Sequence, residues 1–271
     1  MIDNQKQISG ENSIQVQNKD GNVTIQQGIT YTEIEKIFLN LFEANFPKLL
    51  REANNEALEN IKDMLEILKE KIDINKEKID MLKVSSTNVQ YHINNAMLNV
   101  GKKGKKIDIS MLTDTLISLF ENNQNEVFDL VLEEALNIIP KMTKKGVLYL
   151  SMIYFYYYSI FNFLNVEDEF KEFEKIFKVT FEINEVEILY LETLGCLSSE
   201  KGIILGARLQ KQIEKGYKID YEHNTYFKEL NKKLEANRIN QLFLTPLGWF
   251  IAILNLRKYY TYINIKAGFE E

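Results

Sequence analysis

Val147–Leu164 reads VLYLSMIYFYYYSIFNFL, eighteen residues without a charged side chain. A helix of this composition is apolar all round, so it is either the centre of a helical bundle or a bilayer span. Tyr149, Tyr154, Tyr156, Tyr157 and Tyr158, with Ser151, Ser159 and Asn162, favour the first. Each brings a polar tip that hydrocarbon leaves unpaired and that neighbouring helices can satisfy. The stretch is also at the short end of the roughly 20 residues that a span needs. It is expected as a central helix enclosed by the rest of the chain, with a membrane span as the alternative.

The composition agrees with an enclosed core. A chain of 271 residues that is 45% hydrophobic can bury one large domain or two small ones. Only three prolines and twelve glycines interrupt it, so long helices are allowed. A net charge of −6, from 33 basic and 39 acidic residues, gives no overall field to hold a phosphate backbone, which disfavours nucleic-acid binding by the body as a whole. Cys196 is the sole cysteine, which excludes an intramolecular disulfide and suits a reducing compartment. The start, MIDNQKQISGENS, lacks the basic and apolar regions of a secretory signal, so a cytoplasmic location is expected.

Caps and apolar periods place further helices around that centre. Ser85–Asn88 offer caps for a helix with Val89, Ile93, Ala96, Met97 and Val100 on one side. Helices are expected near 109–121 and 126–139, the latter ended by Pro140, and Thr143 can cap the central helix. Phe170, Phe173, Ile176 and Phe177 mark a short amphipathic helix, Val186–Leu194 another closed by Gly195, and 207–236 a charged helical region interrupted at 216–224. Residues 241–244 alternate like a short strand before Thr245 as N-cap and Pro246 at the first helical position. Trp249, Phe250, Ile251, Ile253 and Leu254 follow on a helix expected to pack on the central one.

Earlier in the chain the pattern is a heptad. Leu58, Leu65, Ile72 and Ile79 take one seam position and Ile61, Leu68, Asn75 and Leu82 the other, which predicts a single long helix over 48–83. Runs such as KEKIDINKEKID outside the seam make the apolar stripe narrow, as in a coiled coil, and Asn75 is a polar seam residue of the kind that fixes register. These eight residues are expected as an oligomerisation seam between copies of the chain, and the same spacing also serves a helical hairpin within one chain. Upstream, Thr32 and Glu35 form a capping box, and Pro47 suits the first turn of a new helix after a break near Phe46.

The first 29 residues differ in kind. Ile14 and Val16, then Val23 and Ile25, alternate with polar residues, and Gly10, Asn12, Gly21 and Asn22 occupy turn positions. Two such short strands bury too little to stand alone, so the arm either pairs with copies of itself, docks on the body or remains a tail. Self-pairing is favoured, with a trimer as the expected homo-oligomer.

Chemistry-bearing patterns are few. Lys102, Lys103, Lys105 and Lys106 lie in a Gly- and Lys-rich loop from Gly101, a possible anion contact. Its glycine spacing is not that of a P-loop and no Ser or Thr follows the lysines, so a solvated linker is the simpler reading. Cys196 with His92 or His223 is the one nucleophile and base pairing on offer, and a lone cysteine after a helix is more often packing. Glu167, Asp168 and Glu169 suit a helix start. The tyrosine-rich core could line a cavity, though such residues mostly pack. No catalytic residue, metal site or cofactor site is expected.

Three stretches resemble an uncharacterised bacterial family with Lpo/Vpar-type locus names. They are GENSIQVQNKDGNVTIQQGITYTEI at 10–34 with LFEANFPKLL at 41–50; LEEALNIIPKMTKKGVLYLS at 132–151; and YLETLGC at 190–196 with LTPLGWFIAI at 244–253. That resemblance implies an all-helical body behind a β-rich arm, in bacterial mobile or defence-associated gene neighbourhoods, and supplies no site residues. Gly10-x-Asn12-x-Ile14-Gln15-Val16 is also similar to the core of amyloid signalling motifs, with Gln17 where glycine is usual. Steric-zipper assembly is physically reasonable for such segments.

The reading is an all-α, multi-helix bundle with one long heptad-patterned helix and a short β-rich N-terminal arm. Its parts are the oligomerisation arm 1–29, a long helical or coiled-coil segment 30–104 and a bundle 105–271. The function expected is that of a self-assembling, non-enzymatic interaction, scaffold or sensor protein with a protein partner, in bacterial anti-phage defence. The alternative is a membrane-acting effector that releases 147–164.

Overall fold

The computed structural model describes residues 55–122, 125–158, 165–178, 182–199 and 205–260, together with the isolated helical positions Lys36 and Asn40. The arm residues Ile14, Val16, Val23 and Ile25, the Thr32/Glu35 capping box and Pro47 lie outside the described residues. Within them the body is all-α, with eleven α-helices and one two-stranded sheet.

Short polar residues set the helix starts by giving a side-chain oxygen to amides that have no helical partner. Ser86 accepts from Val89 N to open α3 (Thr87–Lys103), Asp108 from Met111 N to open α4 (Ile109–Phe120), and Asn125 from Phe128 N to open α5 (Glu126–Ile138). Thr143 accepts from Gly146 N in the first turn of α6 (Lys144–Tyr158). Asn165 and Asn224 do the same for α7 (Val166–Phe177) and α10 (Thr225–Ala236), and Asn184 with Glu187 makes a full capping box on α8 (Glu185–Thr193). α9 spans Leu205–Tyr217.

The uncharged stretch is the core. From Gly146 to Tyr157 every side chain of α6 except Tyr154 is buried, and 159–164 lie outside the described residues. Its principal partner is α11 (Pro246–Leu256), capped by Thr245 with Pro246 in its first turn. The two helices meet through the Trp249 ring, edge-on to Tyr154 and Tyr158, and through buried polar contacts in which Asn255 Nδ2 donates to Ser151 Oγ at 2.9 Å and Ser151 Oγ donates to Ala252 O at 3.4 Å. Among the described residues no helix is long and apolar enough to cross a membrane.

On one side of this pair lie α1 (Asn55–Asn75), α3, α4 and α5; on the other, α7 to α10. Ile61, Met64, Leu68 and Ile72 of α1 are buried against α3 and α4, with Leu65 partly buried beside them. The heptad stripe is thus the inward face of a helix within one chain. At roughly 1.5–3 kcal/mol for each fully buried aliphatic side chain, those four fasten α1 to the body.

The expectation of one helix through residue 83 is corrected: α1 ends at Asn75. Asn75 Nδ2 turns back to Lys71 O at 2.8 Å, and Lys78 N bonds Asn75 O in the turn that follows. Ile79 then bridges Glu121, Asp80 N donates to Phe120 O, and Asp80 caps the one-turn helix α2 (Met81–Val84). Leu82, a seam residue in the heptad reading, is 85% exposed as a result.

β1 (Leu197–Ser198) and β2 (Phe243–Leu244) pair antiparallel, Leu197 with Leu244 and Ser198 with Phe243. This joint brings YLETLGC and LTPLGWFIAI together. Gly195 takes φ +73°, Thr245 Oγ1 donates to Gly195 O at 2.6 Å, and Thr245 N donates to Cys196 O. Gly248 sits so close that an added Cβ would lie 2.0 Å from Cys196 O, so only glycine fits without backbone movement.

Candidate functional site

The interior between α6, α7 and α10 is aromatic. Phe155 stacks on Phe173 with centroids 3.6 Å apart, Phe173 on Phe177 at 4.0 Å, and Tyr156 meets Phe170 edge-on at 5.3 Å. Phe170 reaches Phe227 at 5.9 Å, and Phe227 stacks on Tyr221 at 5.3 Å. Phe227 and Tyr226 therefore come from α10, and Tyr221 from the turn before it, to close the cluster over α6.

The hydroxyls in this cluster are served unevenly. Tyr149 Oη donates to Asn237 O at 2.7 Å, and Tyr226 Oη donates to Glu174 Oε1 at 2.6 Å while Lys233 holds the other carboxylate oxygen. The buried Oη atoms of Tyr156, Tyr157 and Tyr221 have no hydrogen-bond partner among the described residues. Burial raises the pKa of all five phenols, that of Tyr221 to about 12, so they are neutral at physiological pH. Such groups can donate or accept a hydrogen bond and are poor bases.

The one nucleophile on offer is a packed side chain. Cys196 is buried beside Gly248, and desolvation pushes its thiol up to about 12, far from a thiolate at neutral pH. His92 is buried on α3 with Nε2 3.8 Å from Glu133 Oε2, and His223 is exposed beside Asp220. Neither histidine is a hydrogen-bond partner of Cys196 among the described residues. Glu167, Asp168 and Glu169 stand in the first turn of α7, where they suit the helix dipole. Among the described residues no group of His, Cys, Asp or Glu could hold a metal ion.

The seam residues divide. Ile61, Leu68 and Ile72 join the core of their own chain, as does Ile79 beyond the helix end; Leu58 and Leu65 are half-buried, and Asn75 caps the helix. The lysine loop is more ordered than a linker, since α3 continues through Lys103 and Gly104 makes the turn at φ +52°. Lys103 Nζ donates to Pro140 O at 2.7 Å, and Lys102, Lys105 and Lys106 are exposed.

Sequence reasoning missed the outer face of α8. Ile188 and Leu191 point inward, yet Val186, Leu189 and Tyr190 face outward at 75%, 49% and 43% exposure. The signal was the run EVEILYLET, which offers apolar residues at more positions than one buried face can use. Exposed apolar groups also occur on α5, at Val127 and Leu130. Ile176 is the partly exposed member of the α7 stripe.

No curated protein and no solved structure matches the chain. A protein-family model, described as ":-like", matches residues 28–222, which begin ahead of α1 and end just before α10. That stretch is well over half of the 271 residues, and the chain belongs to this ":-like" family.

Proposed function

We propose that this chain is a non-enzymatic interaction protein, a scaffold or sensor that assembles with itself and docks a further protein in the bacterial cytoplasm, in anti-phage defence. The family is read as the Lpo/Vpar-type one on its sequence motifs. The observation that carries the interaction reading is the outer face of α8, where Val186, Leu189 and Tyr190 leave apolar surface in water opposite a face already packed on the body. Contiguous exposed apolar groups on an ordered helix mark contact surfaces more often than accident. The strand-patterned arm, with Ile14, Val16, Val23 and Ile25, is the proposed self-assembly element, and trimeric pairing is the favoured form.

Absolute mass by light scattering tests this on three proteins: the full chain, the chain starting at Thr30, and a Val186→Asp/Leu189→Asp variant. The full chain is expected above monomer mass, and removal of the arm is expected to lower it with the helical signal retained. The α8 variant is expected to keep its fold and lose association with itself or with its partner. A full chain that is monomeric at every concentration refutes self-assembly, and a bacterial host equally sensitive to phage with and without the protein refutes the defence role.

A further inference from the structure

We propose that the corner formed by the α3 C-terminus and the Pro140 turn is a docking surface for the phosphate backbone of nucleic acid, adjoining the α8 face at Tyr190. Gly104 reverses the chain at φ +52° between Lys102–Lys103 and Lys105–Lys106, and it is buried with Asn60 packed against its α-carbon. Ile107 N closes the turn on Gly104 O at 3.0 Å. The lysines therefore stand on fixed backbone. Lys103 Nζ then ties this turn to Pro140 O, which brings Lys141 and Lys144 to the same corner. The ammonium groups of Lys102, Lys105, Lys106, Lys141 and Lys144 make no ion pair or hydrogen bond among the described residues, although the chain is acidic overall.

Simpler roles explain only part of this cluster. Lys102 and Lys103 complement the negative end of α3. Lys105 and Lys106 lie beyond that helix end, and Lys144 stands in the first turn of α6, where the helix dipole opposes a positive charge. Its neighbour Lys145 is compensated by Glu187 at 2.9 Å, whereas Lys144 has no such acid. Several unpaired cations on one rigid corner fit a repeating polyanion, and the exposed ring of Tyr190, whose hydroxyl donates to Lys141 O, borders the cluster as a stacking surface.

The test is fluorescence anisotropy of the full chain with a labelled thirty-nucleotide oligo-dT, with a mixed-sequence duplex and, as a sedimentation arm, with phosphatidylserine vesicles. The wild type is expected to bind oligonucleotide with affinity that falls as salt rises. A Lys102→Gln/Lys105→Gln/Lys106→Gln/Lys141→Gln variant with unchanged helical signal is expected to bind at least about 10-fold more weakly, with a salt slope on the single strand smaller by up to about 3. A Lys76→Gln/Lys78→Gln variant is expected to bind as the wild type does. The proposal is overturned if neither oligonucleotide binds, if the quadruple variant binds as well as the wild type, or if only vesicles bind.

Discussion

Around α4 the polar side chains end on partners, whereas around α6 several of them do not. Lys71 crosses from α1 to Asp114 at 2.6 Å and to Ser110 O at 2.7 Å; Lys83 takes Asp129 and Glu121 O; Thr113 and Thr115 bond back to their own helix. His92 Nδ1 and Asn94 Oδ1 are the exceptions there. In the aromatic half Tyr156, Tyr157 and Tyr221 bury hydroxyls that packing does not need, since phenylalanine would fill nearly the same volume. The aliphatic half uses polar groups to fix how helices meet. The aromatic half carries polar groups its own fold leaves unspent, each at a cost of about 1–3 kcal/mol when unpartnered.

Among the changes that probe this comparison, those at the β1–β2 joint should have the largest effect. Gly248→Ala places a Cβ against Cys196 O, a backbone atom that cannot rotate away, and is expected to cost about 3 kcal/mol in thermal or denaturant unfolding. A variant as stable as wild type would show that this joint is loose. Next, Tyr149→Phe removes the donor to Asn237 O and should destabilise by about 1 kcal/mol, while Tyr156→Phe and Tyr157→Phe should be neutral or stabilising by up to about 1 kcal/mol. The opposite signs of one chemical change are the sharpest form of the comparison. Equal losses at all three positions would mean that the inner hydroxyls are satisfied in solution.

The smallest effect concerns His92. Its burial lowers its pKa from 6.5, although Glu133 and Glu134 pull it upward. The folded state then binds fewer protons than the unfolded state, so the stability contributed by neutral His92 is complete above pH 6.5 and is lost as pH falls below it. Melting temperature followed downward from neutral pH should fall less steeply in His92→Gln than in wild type. Identical slopes would remove His92 as a source of acid sensitivity.

How far the chain was readable from its residues follows from the range of the interactions. The central helix was legible because an uncharged run states its own burial, and Ser86, Thr143 and Thr245 mark their helix starts with local chemistry. The end of α1 was not, because the heptad continues through the break and the contacts that hold Ile79 and Asp80 out of the helix come from Glu121 and Phe120, some forty residues away. β1 is two residues long, too short for any period to show. The phenol cluster joins Tyr156 to Tyr221 across the chain, and no spacing in the sequence connects them. The lysine corner was half legible: Lys102–Lys106 are contiguous, whereas Lys141 and Lys144 arrive only through the bond from Lys103 to Pro140.

The central structural claim is that the heptad stripe is spent inside one chain, and Ile72→Asp tests it most directly. Ile72 is 1% exposed between α1 and the body, so an unpaired carboxylate there should cost about 3–5 kcal/mol. Circular dichroism on heating, recorded with absolute mass by light scattering, should show a cooperative transition lost or moved to much lower temperature, whatever the assembly state. A variant that melts like wild type at reduced mass would contradict the account, because the stripe would then face a second chain.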